Sequence, residues 1–222
     1  MKFSKYFDHT ILKADATAED VKRICQEAKE YDFASVCVNS YYTPLVAEEL
    51  KDVDVKVCTV IGFPLGAMST LSKKLETVDA IENGADEIDM VINVGALKAK
   101  DYEEVLYDMK EVKDACVHNP AWKEAKLKVI IETCLLSEEE KIKACELAIE
   151  AGADFVKTST GFGTGGATAH DVELMKKVIP DSMKVKASGG MRKWEDVKPI
   201  LAVGADRLGV SASLEILKGY EE

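Results

Sequence analysis

Short apolar runs rich in Val and Ile alternate with longer amphipathic segments from one end of the 222-residue chain to the other. Candidate strands fall at Phe7–Ile11, Ala34–Asn39, Val55–Ile61, Asp86–Asn93, Leu127–Thr133, Asp154–Ser159, Met183–Ser188 and Asp206–Ser211. Helix-like stretches lie between them, among them Ala18–Tyr31, Ser69–Asn83, Tyr102–Cys116, Glu138–Ala151, Ala169–Val178 and Lys193–Val203. Such alternation predicts βα units around a mostly parallel sheet. The helix ends carry their own signals. Ser137-Glu138-Glu139-Glu140 has the form of a capping box. Gly84-Ala85-Asp86, Gly152-Ala153-Asp154 and Gly204-Ala205-Asp206 each supply a glycine stop followed by a new strand. No Pro-, Ser- or Gly-rich linker divides the chain, so one domain over residues 1–222 is expected. Eight strands predict a closed (β/α)8 TIM barrel, for which this length is small but sufficient. An open doubly wound sheet is the alternative, because the first strand is short and weakly apolar.

The net charge of −11 disfavours nucleic acid and anionic membranes as partners. An anionic substrate must then be caught by local positive charge. The six cysteines form no C-x-x-C pair and mostly sit in apolar stretches, which suits free thiols in a reducing compartment. Residues 1–20 contain no apolar signal-like run, and no segment approaches membrane-spanning length. A cytoplasmic protein is expected.

Strands of a parallel sheet are covered on both faces and should be almost wholly apolar. Three strands break that rule. In Glu87–Asn93, alternation puts Ile88, Met90 and Ile92 toward the helices, and Glu87, Asp89, Val91 and Asn93 toward the barrel interior. In Asp154–Ser159, Phe155, Lys157 and Ser159 face inward, with Lys157 near the C-terminal end where barrel active sites are built. In Met183–Ser188, Lys186 points inward at a similar level. Any one of these could be a strand-end charge reaching solvent, and Glu87 and Lys184, near their strand starts, are read that way. Asp89, Lys157 and Lys186 together indicate a site.

A lysine amine is a poor nucleophile at neutral pH because it is protonated. Burial and a neighbouring ammonium both favour the free amine. Two inward lysines on adjacent strands supply that pairing, one as the amine and the other charged or exchanging protons with the carboxylate. This is the arrangement needed to form an iminium with a carbonyl compound. The loops Ser188-Gly189-Gly190-Met191-Arg192 and Gly209-Val210-Ser211-Ala212-Ser213 follow the last two strands. Barrels often bind phosphate there, on backbone N–H groups and a helix N-terminus. Either loop alone could be a simple βα turn. The residues by themselves thus lead to a lysine aldolase for a small phosphorylated carbonyl compound.

Over essentially its whole length the chain resembles the 2-deoxyribose-5-phosphate aldolase family. The resemblance rests on Asp8-His9-Thr10, Val36-Cys37-Val38-Asn39, Ile61-Gly62-Phe63-Pro64-Leu65-Gly66, Glu87-Ile88-Asp89-Met90-Val91 and Lys128-Val129-Ile130-Ile131-Glu132-Thr133. Its most specific segments are Phe155-Val156-Lys157-Thr158-Ser159-Thr160-Gly161 and Lys186-Ala187-Ser188-Gly189-Gly190-Met191-Arg192. It implies a class I aldolase on a (β/α)8 barrel with a phosphorylated sugar as substrate and no cofactor or metal. It leaves a homo-oligomer open. By the same resemblance Lys157 is the Schiff-base lysine, Lys186 the lysine that perturbs it, and Asp89 the acid/base partner. Asp8 and Thr10 orient substrate hydroxyls, Cys37 lines the pocket, and Gly161, Gly189, Gly190 and Ser211 hold the phosphate. Two features depart from the family pattern. Ser211 is followed by Ala212, where some members carry a second serine, and Tyr220 is followed by Glu221 and Glu222, where some members end in a tyrosine over the site.

Three rivals are weaker. Gly161-Phe162-Gly163-Thr164-Gly165-Gly166 fits G-x-G-x-x-G, but Asp181 precedes the next strand instead of ending it, and Lys157 is ill-placed under a pyrophosphate turn. A zinc aldolase needs ligand spacing that His9, His118 and His170 lack; His118 and His170 read as surface residues near helix ends. A non-enzymatic sugar-phosphate sensor would not need two buried lysines and an aspartate.

Overall fold

The computed structural model describes residues 2–121 and 123–221. Its strands are β1 (Phe7–Ile11), β2 (Ser35–Asn39), β3 (Lys56–Ile61), β4 (Glu87–Val91), β5 (Lys126–Ile130), β6 (Phe155–Lys157), β7 (Lys184–Ser188) and β8 (Arg207–Val210). All pair in parallel, in sequence order, and β1 pairs with both β2 and β8. The weak first strand is therefore the one that closes the sheet, and the open doubly wound alternative falls. The helices are α1 (Ala18–Tyr31), α2 (Thr43–Leu50), α3 (Thr70–Glu82), α4 (Val94–Lys98), α5 (Tyr102–Val117), α6 (Glu138–Glu150), α7 (Ala169–Val178), α8 (Trp194–Ala202) and α9 (Ser213–Glu221). The capping box at Ser137 and Glu140 forms as the sequence predicts. No helix among the described residues is long and apolar enough to cross a membrane.

The repeated Gly-Ala-Asp has a physical explanation. Each glycine adopts positive φ (103° at Gly84, 75° at Gly152, 99° at Gly204), a conformation that turns the chain out of the helix. Each aspartate then reaches back to the start of the preceding strand. Asp86 Oδ2 accepts from the Val57 N–H at 2.8 Å, Asp154 Oδ2 from Leu127 at 2.9 Å and Asp206 Oδ2 from Val185 at 2.8 Å. The motif thus ties the N-terminal ends of neighbouring strands together, and β4, β6 and β8 begin one residue after it.

Apolar packing is split by the sheet. The large core lies between the strands and the helices, and includes Val36, Ile88, Met90, Val129, Val156, Val185 and Leu208. Inside the barrel the apolar cluster is small, with Cys37, Cys58 and Val60 packed by Leu12 and Phe63. Barrel interiors are ordinarily filled by layers of branched apolar side chains. Here much of that space is taken by charge.

Candidate active site

Alternation along the strands sends seven charged side chains into the barrel. Asp8 comes from β1, Glu87 and Asp89 from β4, Lys128 from β5, Lys157 from β6, Lys186 from β7 and Arg207 from β8. Asp89 stands at their centre. Its Oδ2 accepts from Lys157 Nζ at 2.8 Å and Lys186 Nζ at 2.6 Å, and its Oδ1 from Lys128 Nζ at 2.8 Å. Lys128 also meets Glu87 at 2.7 Å, and Lys186 meets Asp8 at 2.6 Å. Arg207 closes the ring from below, with Nε on Asp8 at 2.8 Å and Nη2 on Glu87 at 2.8 Å. Gly209, on β8 beside Lys186, leaves room for that side chain; a Cβ there would lie 2.9 Å from Lys186 Cε.

Burial and charge pull these groups in opposite directions, and charge wins. Burial alone would raise the Asp89 carboxyl, but Lys128, Lys157 and Lys186 hold it well below the usual range. Asp8 is likewise raised by burial and lowered further by Arg207, Lys186 and Lys128, so it stays ionised. Desolvation pushes Lys186 down, yet Asp8 and Asp89 raise it overall, and Lys128 is raised by Asp89 and Glu87 in the same way. Lys128 and Lys186 are therefore ammonium ions fixed in place.

A stability profile follows from these directions. Asp8 and Asp89 titrate below the ordinary 3.8, so their contribution is present above that value and is lost as pH falls through the lower folded values. Lys128 and Lys186 titrate above 10.5, so theirs is present below 10.5 and is lost as pH rises through the higher folded values. Unfolding midpoints in urea should hold through neutral pH, fall below about pH 4 and fall again above about pH 10.5. A midpoint that rose on acidification below pH 4 would contradict the charge network.

Lys128 and Lys186 are fully buried, whereas Lys157 is 3% exposed. It is also the member of the ring that lines a cavity of about 290 Å³ at the C-terminal end of the barrel. Thr10, Gly161, Gly189, Gly190 and Ser211 line the same cavity. Gly189 and Gly190 have φ of 84° and 80°, a conformation that a side chain disfavours. Lys13 and Arg192 also border it and supply local positive charge in an acidic protein.

Asp8 and Cys37 do not line the cavity. Asp8 is fully buried, accepts from Ser35 Oγ at 2.6 Å and reaches the ring instead of the cavity wall. Thr10 Oγ1 donates to the Asp8 carbonyl at 2.7 Å. Cys37 is fully buried against Cys58 and Val60, beneath the cavity and outside its lining. Glu87, expected at the solvent edge, is only 3% exposed; the correction comes from Lys128 and Arg207, which neutralise it inside. Lys184 does remain exposed. Tyr220 packs on Phe3 and Trp194, with ring centroids 4.2 and 5.0 Å away, beside the segment that enters β1 and away from the cavity.

Lys128 and Arg207 were not among the expected site residues, although strand alternation places both inward. Equally unexpected is a grouping of Cys37, Cys58 and Asp89, whose ligating atoms lie within 4.8 Å of one another. Lys128 Nζ is 3.2 Å from Cys58 Sγ and 2.8 Å from Asp89 Oδ1, so an ammonium already supplies positive charge beside that grouping. His9 turns to the helix side, where its ring nitrogens meet Glu27 at 2.7 Å and Ser213 at 2.8 Å. His118 and His170 lie exposed at helix ends.

A family model described as DeoC/LacD family aldolase matches residues 2–217. The chain belongs to the DeoC/LacD aldolase family. It is 58% identical over 219 residues to the deoxyribose-phosphate aldolase of Carboxydothermus hydrogenoformans, covering 98% of this chain and 95% of that one. It is also 58% identical over 219 residues to the Finegoldia magna enzyme of the same name, covering 99% and 100%. Among solved structures, the tetrameric deoxyribose phosphate aldolase from Aeropyrum pernix superposes with a TM-score of 0.89 at 32% identity, covering 99% of this chain and 91% of that one. The protein is thus an aldolase, a lyase on a (β/α)8 barrel, of a family that works through a Schiff base.

Proposed function

We propose that the protein reversibly cleaves 2-deoxy-D-ribose 5-phosphate to acetaldehyde and D-glyceraldehyde 3-phosphate, with Lys157 as the Schiff-base lysine. The observation that carries this reading is that, among the described residues, Lys157 alone joins the buried charge network to the cavity. Its Nζ attacks the C1 aldehyde carbon. The resulting carbinolamine loses water to give an iminium, which serves as the electron sink. A base takes the C3 hydroxyl proton as the C2–C3 bond breaks; Asp89, acting through a water and with Lys186, is assigned that role. Glyceraldehyde 3-phosphate leaves and an enamine remains on Lys157. Protonation at C2 and hydrolysis of the iminium release acetaldehyde and restore the amine.

The ring also balances its charge in this scheme. With Lys157 as a free amine, Lys128, Lys186 and Arg207 face Asp8, Glu87 and Asp89, three cations to three anions. Iminium formation returns a positive charge beside Asp89. Thr10 is assigned to the hydroxyl end of the sugar; Asp8, buried in the ring, acts there only through Lys186, and Cys37 is assigned to the packing under it. Gly161, Gly189, Gly190 and Ser211 are assigned to the phosphate. The homologous names and the Aeropyrum pernix tetramer support a phosphorylated sugar as substrate and a homo-oligomer as the assembly. A reducing cytoplasm suits the six free cysteines.

The test is turnover of 2-deoxyribose 5-phosphate without added cofactor, with both products measured, against unphosphorylated 2-deoxyribose. We expect both aldehydes in equal amounts and a strong preference for the phosphorylated sugar. Failure to release acetaldehyde would overturn the assignment. Gly190→Glu places bulk and negative charge in the phosphate loops. It should depress cleavage of the phosphorylated sugar at least about tenfold, the scale of a lost charged hydrogen bond, while acetaldehyde still forms its imine at Lys157. Equal impairment of both sugars in a folded variant would remove the phosphate from these loops.

A further inference from the structure

Glu132, two residues past the end of β5, holds a conformation that a residue with a Cβ rarely adopts, φ 56° and ψ 66°. Its neighbours lock it there. The Ile131 N–H donates to the Lys157 carbonyl at 3.0 Å, and the Thr133 N–H to the Thr158 carbonyl at 2.9 Å. The side chain is 4% exposed, and no lysine or arginine pairs with it among the described residues. A buried carboxylate without a cation is costly unless hydrogen bonds compensate it. All its close donors but one come from a single residue: the Thr160 N–H lies 3.3 Å from both carboxylate oxygens, and Thr160 Oγ1 donates to Oε2. The other is the weak Cys134 Sγ contact at 3.8 Å. Thr160 Oγ1 in turn accepts from the Phe162 N–H at 3.0 Å.

We propose that Glu132 is a positioning residue for the loop 160–162, holding Gly161 in its binding conformation against the cavity; the inference rests on the phosphate reading above. A carboxylate is an acceptor only, so it takes both the N–H and the O–H of Thr160. With its proton committed to Glu132, the Thr160 hydroxyl presents lone pairs to Phe162. Three consecutive residues are thereby fixed around Gly161, whose φ is 84°. An amide in place of Glu132 would set its NH2 against a donor and release one arm of the clamp. Unfavourable backbone held by its surroundings beside a cavity is the pattern expected where a site is preorganised.

The test compares kcat/KM for 2-deoxyribose 5-phosphate and for 2-deoxyribose in the wild type, Glu132→Gln, Thr160→Val and Thr160→Ser. Glu132→Gln should raise KM for the phosphorylated sugar at least about tenfold, shrink the preference for phosphate by the same factor, and leave the rate with deoxyribose and the borohydride adduct at Lys157 in place. Thr160→Val should do the same, and Thr160→Ser should restore the preference; if Glu132→Gln does not fold, the threonine pair decides alone. A wild-type preference that survives unchanged in the folded variants overturns the inference and leaves the phosphate site standing. Loss of the Lys157 adduct in a folded variant also overturns it, because the role would then be general to the barrel. A wild type that does not distinguish the two sugars overturns the phosphate reading, and the inference with it.

Discussion

Lys157→Met should retain the fold and lose roughly 10⁴-fold or more in kcat/KM, the scale of removing a covalent nucleophile. Folding is preserved because Asp89 keeps Lys128 at 2.8 Å and Lys186 at 2.6 Å when Lys157 is gone. Methionine replaces the stem with a side chain of similar length, so the loss is chemical. Lys157→Arg should be as inactive, since a guanidinium supplies no free amine at working pH. Steady-state cleavage of 2-deoxyribose 5-phosphate checks both, with near-ultraviolet circular dichroism as the control for fold. Substantial turnover by either variant would place the nucleophile on another residue.

Lys128→Met should have the larger effect on stability. Lys128 is fully buried and lies 2.7 Å from Glu87 and 2.8 Å from Asp89. Removing one partner from a buried ion pair leaves uncompensated charge, which costs about 3–5 kcal/mol. Methionine fills the volume, so little of the loss comes from a cavity. The urea midpoint should fall accordingly, whereas removal of Lys56 from its exposed contact with Asp54 should move it little. A Lys128→Met midpoint equal to wild type would mean that Glu87 and Asp89 are not held by this lysine.

The barrel was legible because its strands are local in sequence. Period-two apolar runs and the three Gly-Ala-Asp stops mark where most units begin, and only the strand ends were overdrawn. The apolar pattern of Asp154–Ser159 predicts six strand residues, and three form, Phe155–Lys157. Leu127–Thr133 was carried past Ile130, where Glu132 turns into the left-handed region and ends the ladder. Lys157, Lys186 and Asp89 stood out as charges in apolar strands. Lys128 and Arg207 did not, because each sits near a strand start, where a charge reads as a solvent contact. Their partners lie far along the chain, 39 residues for Lys128 with Asp89 and 199 for Arg207 with Asp8. Spacing alone cannot reveal such pairs; the pairing of β4 with β5 sets Lys128 beside Asp89, and closure of the barrel by β1 and β8 brings Arg207 to Asp8. Cys37 shows the opposite limit, since its inward direction could be read but its depth beneath the cavity could not.

The central claim is that the amine of Lys157 forms the covalent intermediate. Borohydride reduction in the presence of acetaldehyde, followed by peptide mass mapping, tests it directly. The expected result is an ethyl adduct on Lys157, loss of activity in proportion to its formation, and no change when EDTA is present. An adduct confined to Lys186, Lys128 or a surface lysine, or activity that disappears in EDTA alone, would contradict it.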